Sequence, residues 1–224
     1  MKIDLYAQKI LRAGQLLAVE ITSVFPDTDS KTLEIITGLE KSDHISAFDF
    51  FIIQQCANKI KEELNNGLTP TLTSINISAK TLAYPEDIVG IIKDVAPYIV
   101  LEITETYITN VKDAVEFVKQ VKATGAKIAL DDLNHSEQGI DLIEPLQPDI
   151  IKLVFPKNVM NSRHFFRFVH SIEKTNVDAL LVIENISNEI DFQLVSTNTP
   201  KAYIQGYHLD KGEVFIEGLE FNAK

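Results

Sequence analysis

The sequence predicts an α/β fold whose parallel strands close into a barrel, and three observations predict it. Short apolar runs alternate with longer helical patterns along the 224 residues. Most of the runs read as near-continuous Ile, Leu and Val, as strands buried on both faces do. Seven or eight strand–helix units in this length fit a TIM-type barrel, with a doubly wound open sheet as the alternative. Neither GxGxxG nor GxxxxGK[ST] occurs among the nine glycines, so nucleotide-fold fingerprints give the open sheet no support.

In chain order the strands are LLAVEIT (16–22), LTSINIS (72–78), IVLEIT (99–104), KIALDD (127–132), DIIKLV (149–154), ALLVIE (179–184) and AYIQGY (202–207). EVFIEG (213–218) is a short eighth that closes the set. Helical patterns fill the gaps at 46–65, 86–96, 110–124, 136–146, 158–175 and 187–197. The clearest is 110–124: Asn110 is placed to cap it, Val111, Val115, Val118 and Lys122 recur at helical spacing, and Gly125 stops it. Cys56, the single cysteine, lies within the apolar pattern FDFFIIQQCANKI and reads as a packed thiol; no intramolecular disulfide or cysteine metal cluster can form.

No Pro/Gly/Ser-rich linker, low-complexity tract or like-charge block divides the chain, so one barrel domain over 1–224 is expected. The charged N-terminus MKIDLYAQKILRAGQ does not resemble a signal peptide. No stretch reaches the roughly 18 consecutive apolar residues of a membrane span. A soluble, cytoplasmic protein without a membrane partner is the expectation. The net charge of −11 argues against binding DNA or RNA polymers, which takes clustered Lys and Arg. A small anion remains compatible with an acidic site if metal ions reverse the local sign.

In a barrel the C-terminal strand ends share one rim, where active sites are built. Read in order, those ends carry Glu20, Asn76, Glu102, Asp131 with Asp132, Lys152, Glu184 and Gln205. Singly, each has a bland reading: Asn76 capping a turn, Gln205 satisfying a backbone group, Lys152 snorkelling, an acid capping the next helix. Together they do not, because five carboxylates on one rim repel one another unless something cationic sits between them, and one lysine does not balance five acids. Oxygen donors without a cysteine or histidine cluster select hard cations such as Mg²⁺, Mn²⁺ or Ca²⁺. Adjacent Asp131 and Asp132 suit a bridging and a terminal ligand to two ions, the arrangement that serves in-line phosphoryl displacement.

These residues lie in segments that resemble a known family. "SINIS" looks like an NxS strand end, "VLEITET" like ExLTE, "ALDDLNHSEQGIDLI…QPDIIKL" like a DDFGTG…D.IK block, "VIENIS" like EGVE, and "YIQGYHL" like QGY. Over nearly its whole length the chain resembles the EAL-type phosphodiesterases that hydrolyse the bacterial second messenger cyclic di-GMP. The resemblance implies a TIM-like (β/α)8 barrel with one reversed strand, two Mg²⁺ or Mn²⁺ ions, and opening of one phosphodiester to give linear pGpG. Residue by residue, it implies that Glu20, Asn76, Glu102 and Asp131 hold a first metal and that Asp131, Asp132 and Glu184 serve a second. It makes Lys152 the lysine that contacts the nucleophilic water or its carboxylate partner, and Glu105 the acid that steadies the loop after the acid pair. Gln205 and Asn134 stand on the substrate side, and a homodimer through the region after the Asp131-Asp132 loop, about 136–146, is the implied assembly.

The chain departs from the family pattern at four places. Val24 stands where the family has a substrate-binding arginine, and Leu133-Asn134-His135-Ser136 replace Phe-Gly-Thr-Gly. Val154 replaces the acid two residues after the lysine, and Ser187 the second acid of EGVE. Two readings therefore stand side by side: a working phosphodiesterase, and a degenerate relative that binds cyclic di-GMP or a protein partner without cutting. A third, unrelated reading is a Mg²⁺ barrel enzyme of enolate chemistry with Lys152 as base.

Overall fold

The computed structural model of the chain describes residues 1–28, 31–104, 108, 110–133, 137–157, 162–174 and 178–222. Its strands are β1 (Lys2–Arg12), β2 (Gln15–Val24), β3 (Thr73–Ile77), β4 (Ile99–Thr104), β5 (Lys127–Asp131), β6 (Ile150–Val154), β7 (Leu180–Glu184), β8 (Tyr203–Ile204) and β9 (Glu213–Glu220). Its α-helices are α1 (Thr32–Lys41), α2 (Ile45–Asn65), α3 (Pro85–Ile92), α4 (Val111–Ala123), α5 (Glu137–Leu146), α6 (Ser162–Ile172) and α7 (Glu189–Asn198). No helix among the described residues is long and apolar enough to cross a membrane.

Strands β2 to β8 pair in parallel, each with its successor. Strand β1 closes the ring, antiparallel to β2 on one side and β8 on the other. The fold is an eight-stranded mixed α/β barrel with one reversed strand.

The closing strand corrects an expectation. Segment 213–218 lies in β9, which sits outside the ring as an edge partner of β1, with Lys2 opposite Glu220 and Ala7 opposite Glu213. The N-terminal segment closes the barrel because charged residues there alternate with Ile3 and Leu5, both fully buried. That is the pattern of an antiparallel strand with one wetter face, which does not read as a continuous apolar run. Ala13 and Gly14 then take φ of 49° and 80°, the left-handed pair that folds β1 back onto β2.

Other boundaries shift for local reasons. Helix α1, which the sequence pattern leaves unread, buries none of its residues. The pattern over 86–96 ends as α3 at Ile92, and a 3-10 turn with Pro97 in its first turn follows at Ala96–Tyr98. Helix α4 matches its expectation: the Asn110 side chain accepts hydrogen bonds from the N–H groups of Lys112 and Asp113, and Gly125 follows with φ 93°.

Period-two alternation builds the site. Ile10, Ala18, Val100, Ala129, Ile150 and Val182 form a small buried cluster of their own. Ile75, Leu101, Ile103, Ile128, Leu130, Ile151, Leu153 and Ile183 belong instead to the large core shared with the helices. Two residues along from Ala18, Val100, Ala129, Ile150 and Val182, on the same strand face, stand Glu20, Glu102, Asp131, Lys152 and Glu184. An apolar plug therefore fills the barrel beneath a polar rim.

One buried acid lies outside that rim. Asp49 on α2 is 5% exposed, and its Oδ2 accepts hydrogen bonds from the Ser78 N–H (2.7 Å) and the Thr81 hydroxyl (2.5 Å), pinning the helix to the segment after β3. Burial pushes its pKa up to about 7, against the pull of both bonds. Because the folded value lies above the unfolded one, the favourable share of this group is complete below about pH 4 and is lost as pH rises to about 7. Asp49→Asn keeps an acceptor without the charge, so urea unfolding should show it gaining on wild type between about pH 5 and pH 8. Asp49→Ala leaves the Ser78 N–H unpaired and should cost about 2 kcal/mol. A D49N variant that loses ground over that pH interval would contradict the assignment.

Candidate active site at the barrel rim

The centre of the rim is the Lys152 ammonium, 1% exposed as a side chain. It lies 2.8 Å from Glu102 Oε2, 2.9 Å from Glu20 Oε2, 2.7 Å from Glu184 Oε1 and 3.4 Å from Asp131 Oδ1. Strands β2, β4, β5 and β7 each contribute one of these carboxylates and β6 contributes the lysine.

A second ring of bonds holds the carboxylates. Asn76 Nδ2 donates to Glu20 Oε1 at 2.9 Å, and Gln205 Nε2 donates to Glu20 Oε2 at 2.6 Å. Two residues without an expected role join here. The Ser74 hydroxyl donates to Glu102 Oε1 at 2.5 Å, and Gln8 Oε1 accepts from Gln205 Nε2 at 2.9 Å. Ser74 was discoverable, since it precedes Asn76 by two on one strand face. Gln8 was not, because β1 did not read as a strand.

Charge sets the proton affinities. Burial followed by repulsion from Glu20 drives Glu102 well above the usual carboxylate range, despite the lysine. Burial likewise raises Asp131, and pushes Glu184 to about 8. Glu20 goes the other way: burial opposes ionisation, but Lys152 and the Gln205 and Asn76 hydrogen bonds hold it below its ordinary value. Burial also opposes the charge on Lys152, and the surrounding acids outweigh it and keep the ammonium protonated.

Beside this cluster, oxygens of Asp131, Asp132 and Glu184 lie within 4.8 Å of one another. Asp131 Oδ1 is buried and has no hydrogen-bond partner among the described residues, although it is within ion-pair distance of Lys152. An all-oxygen trio with an unsatisfied buried acceptor fits a hard divalent cation. Asp132 adopts φ 54°, a conformation tolerated by Asp and held here by Leu133, which is buried and donates its N–H to Lys152 O at 3.2 Å. The trio opens into a cleft of ≈ 460 Å³ whose walls include Gln8, Glu20, Lys157, Asn185, Ser187 and Tyr207.

Eight of the expected site residues thus converge: Glu20, Asn76, Glu102, Asp131, Asp132, Lys152, Glu184 and Gln205. Glu105 and Asn134 lie outside the described residues.

Gly206 fixes the far wall. At its φ of 154°, an added Cβ would sit 2.1 Å from the carbonyl oxygen of Ile186. That close approach lets Ile186 N–H donate to Gln205 O (3.2 Å) and His208 N–H donate to Ile186 O (3.1 Å). Gly206→Ala is expected to cost about 3 kcal/mol and to displace Gln205 from Glu20. Thermal unfolding together with a crystal structure of the variant checks it; an unshifted Tm would show that the β7–β8 wall yields freely.

A family model described as EAL domain matches residues 2–211. No curated protein sequence matches the chain. Among solved structures, the PaMucR phosphodiesterase in its c-di-GMP complex superposes with TM-score 0.81 at 16% identity, over 94% of this chain and 92% of that one. The EAL domain of Xanthomonas citri FimX, in complex with c-di-GMP, gives 0.80 at 15% identity, over 99% and 91%. The Bacillus subtilis YkuI protein, with an EAL domain and in complex with c-di-GMP and calcium, gives 0.77 at 22% identity, over 98% of this chain and 57% of that one. At such identities the likeness is one of fold.

Proposed function

This chain belongs to the EAL domain family, and from that premise we propose that it is a metal-dependent phosphodiesterase opening cyclic di-GMP to linear pGpG. The observation that carries the proposal is the convergence of four carboxylates on one buried ammonium, with Asp131, Asp132 and Glu184 grouped beside it at the cleft.

Asp131, Asp132 and Glu184 are the residues to hold one divalent ion, and Glu20, Asn76 and Glu102 with Asp131 the residues to hold another, Mg²⁺ or Mn²⁺. When bound, such ions supply a water ionised near neutral pH and positive charge for the leaving oxygen of an in-line displacement. The chain's own contribution is placement. Ser74 fixes Glu102, Gln205 and Asn76 fix Glu20, and Lys152 gathers the acids so that their mutual repulsion does not splay the rim. Helix α5, the region through which the resemblance pairs two copies, is the face to examine for a homodimer.

Two side chains favour a second reading, binding without turnover. Ser187, at the position of a family acid, donates its hydroxyl to Asp191 Oδ2 at 3.1 Å and so serves the start of α7. Val154 places an aliphatic group on the cleft wall where the family has another acid.

Incubation of the purified protein with cyclic di-GMP and Mg²⁺ or Mn²⁺, with products resolved by chromatography and an EDTA control, decides between them. Linear pGpG that vanishes with EDTA supports the phosphodiesterase. Nucleotide bound but unchanged supports the second reading, and nucleotide neither bound nor cut removes both.

A further inference from the structure

An acidic cleft that takes a dianionic cyclic dinucleotide needs a cation for the phosphate oxygens that metal does not reach. The cleft walls carry Glu20, Asp131, Asp132 and Glu184, and among the described residues they carry one cation, Lys157. Lys157 is exposed and, among the described residues, forms no ion pair, although it shares the cleft wall with Glu20, Asp131, Asp132 and Glu184.

Its backbone is braced. Phe155, two residues earlier, is 1% exposed and packs edge-on against Phe165 at 5.2 Å between ring centroids. The Phe155 N–H donates to Glu184 O at 3.1 Å, and its carbonyl accepts from Asn185 Nδ2 at 3.1 Å. Pro156 then fixes its own φ. The lysine is thus carried on a segment tied to the strand end that presents Glu184.

Position strengthens the case. Val24, at the place of the family's substrate-binding arginine, ends β2 and is 40% exposed. In the ring β2-β3-β4-β5-β6-β7-β8-β1, strand β6 stands four places from β2, directly across the rim. By strand order, the end of β2 that carries Val24 and the end of β6 that leads to Lys157 stand on opposite sides of the acids.

We infer that Lys157 binds a phosphate oxygen of the cyclic dinucleotide and sets its affinity, standing in from the opposite wall for the charge that Val24 lacks. The inference rests on the function proposed above. Lys157 is a binding residue of this site and takes no part in holding metal.

The test uses the full chain as wild type, Lys157→Gln and Lys157→Arg. Calorimetric titration with cyclic di-GMP in Ca²⁺ reads nucleotide affinity, and Mn²⁺ titration without nucleotide, followed by electron paramagnetic resonance, reads the metal site. K157Q should weaken nucleotide binding about tenfold, with Mn²⁺ affinity changed by less than about twofold and K157R close to wild type. Equal nucleotide binding by wild type and K157Q overturns the inference and leaves the proposed function standing. Tighter Mn²⁺ binding by K157Q with unchanged nucleotide affinity also overturns it, and makes Lys157 a competitor of metal. A wild type that binds no cyclic di-GMP removes the proposed function and the inference together.

Discussion

Replacing Lys152 with methionine is expected to destabilise the metal-free protein by about 3–5 kcal/mol at pH 8, the cost of leaving buried charges without their partner. Methionine keeps the length of the side chain and its apolar stem, so the loss reports charge more than volume. Four carboxylates within 2.7–3.4 Å of the ammonium lose their counter-charge at once. The penalty should shrink towards pH 5. Glu102, Asp131 and Glu184 already hold protons more tightly than free carboxyls, Glu184 up to about 8, and without the lysine they hold them tighter still. For groups with raised folded values, the favourable contribution is complete below the unfolded value and is lost as pH climbs through the folded one. The variant's stability should therefore fall more steeply than wild type between about pH 5 and pH 8. Urea unfolding in EDTA measures both slopes, and added Mn²⁺ or Ca²⁺ should recover part of the deficit by occupying the same carboxylates. An unaltered midpoint at pH 8 would refute the view that this lysine holds the rim together.

Asp131→Asn should abolish metal-dependent turnover while the barrel stays folded. Asp131 belongs to both proposed ligand sets, and its buried Oδ1 has no hydrogen-bond partner to lose among the described residues. Asparagine keeps the shape and removes the charge, and with it the repulsion from Glu20 and Asp132 that helps raise the acid's proton affinity. Metal affinity should fall by more than about 100-fold, since even outer partners of metal ligands are worth about 10–100-fold. Stability in EDTA should be unchanged or higher, which separates loss of a ligand from loss of the fold. In the wild type, metal affinity should rise with pH up to about 8, because the proton on Glu184 must leave before its carboxylate can bind. Calorimetric Mn²⁺ titrations across that interval, beside product formation from cyclic di-GMP, supply the numbers. Full activity in D131N would sink the two-ion site.

The sequence by itself determined the barrel's parallel run and most of its rim. Val100-Leu101-Glu102 and Ile150-Ile151-Lys152 show why: a strand buried on both faces writes itself as an apolar run, and a polar residue at its end has few places to go but the rim. Only the tertiary structure decided which strand closes the ring. β1 alternates charged and apolar residues, and although it folds back locally onto β2, its pairing with β8 spans nearly the whole chain, from Leu11 to Ile204. A window of local sequence contains no term for such a contact. The same limit applies to Gln8, an ordinary polar residue until Gln205 is brought against it. It applies most to Lys152. In the sequence it is one lysine against five acids, too few to neutralise them. In the fold it stands between four of them at hydrogen-bond or ion-pair distance, because alternation on five parallel strands aims five side chains at one point.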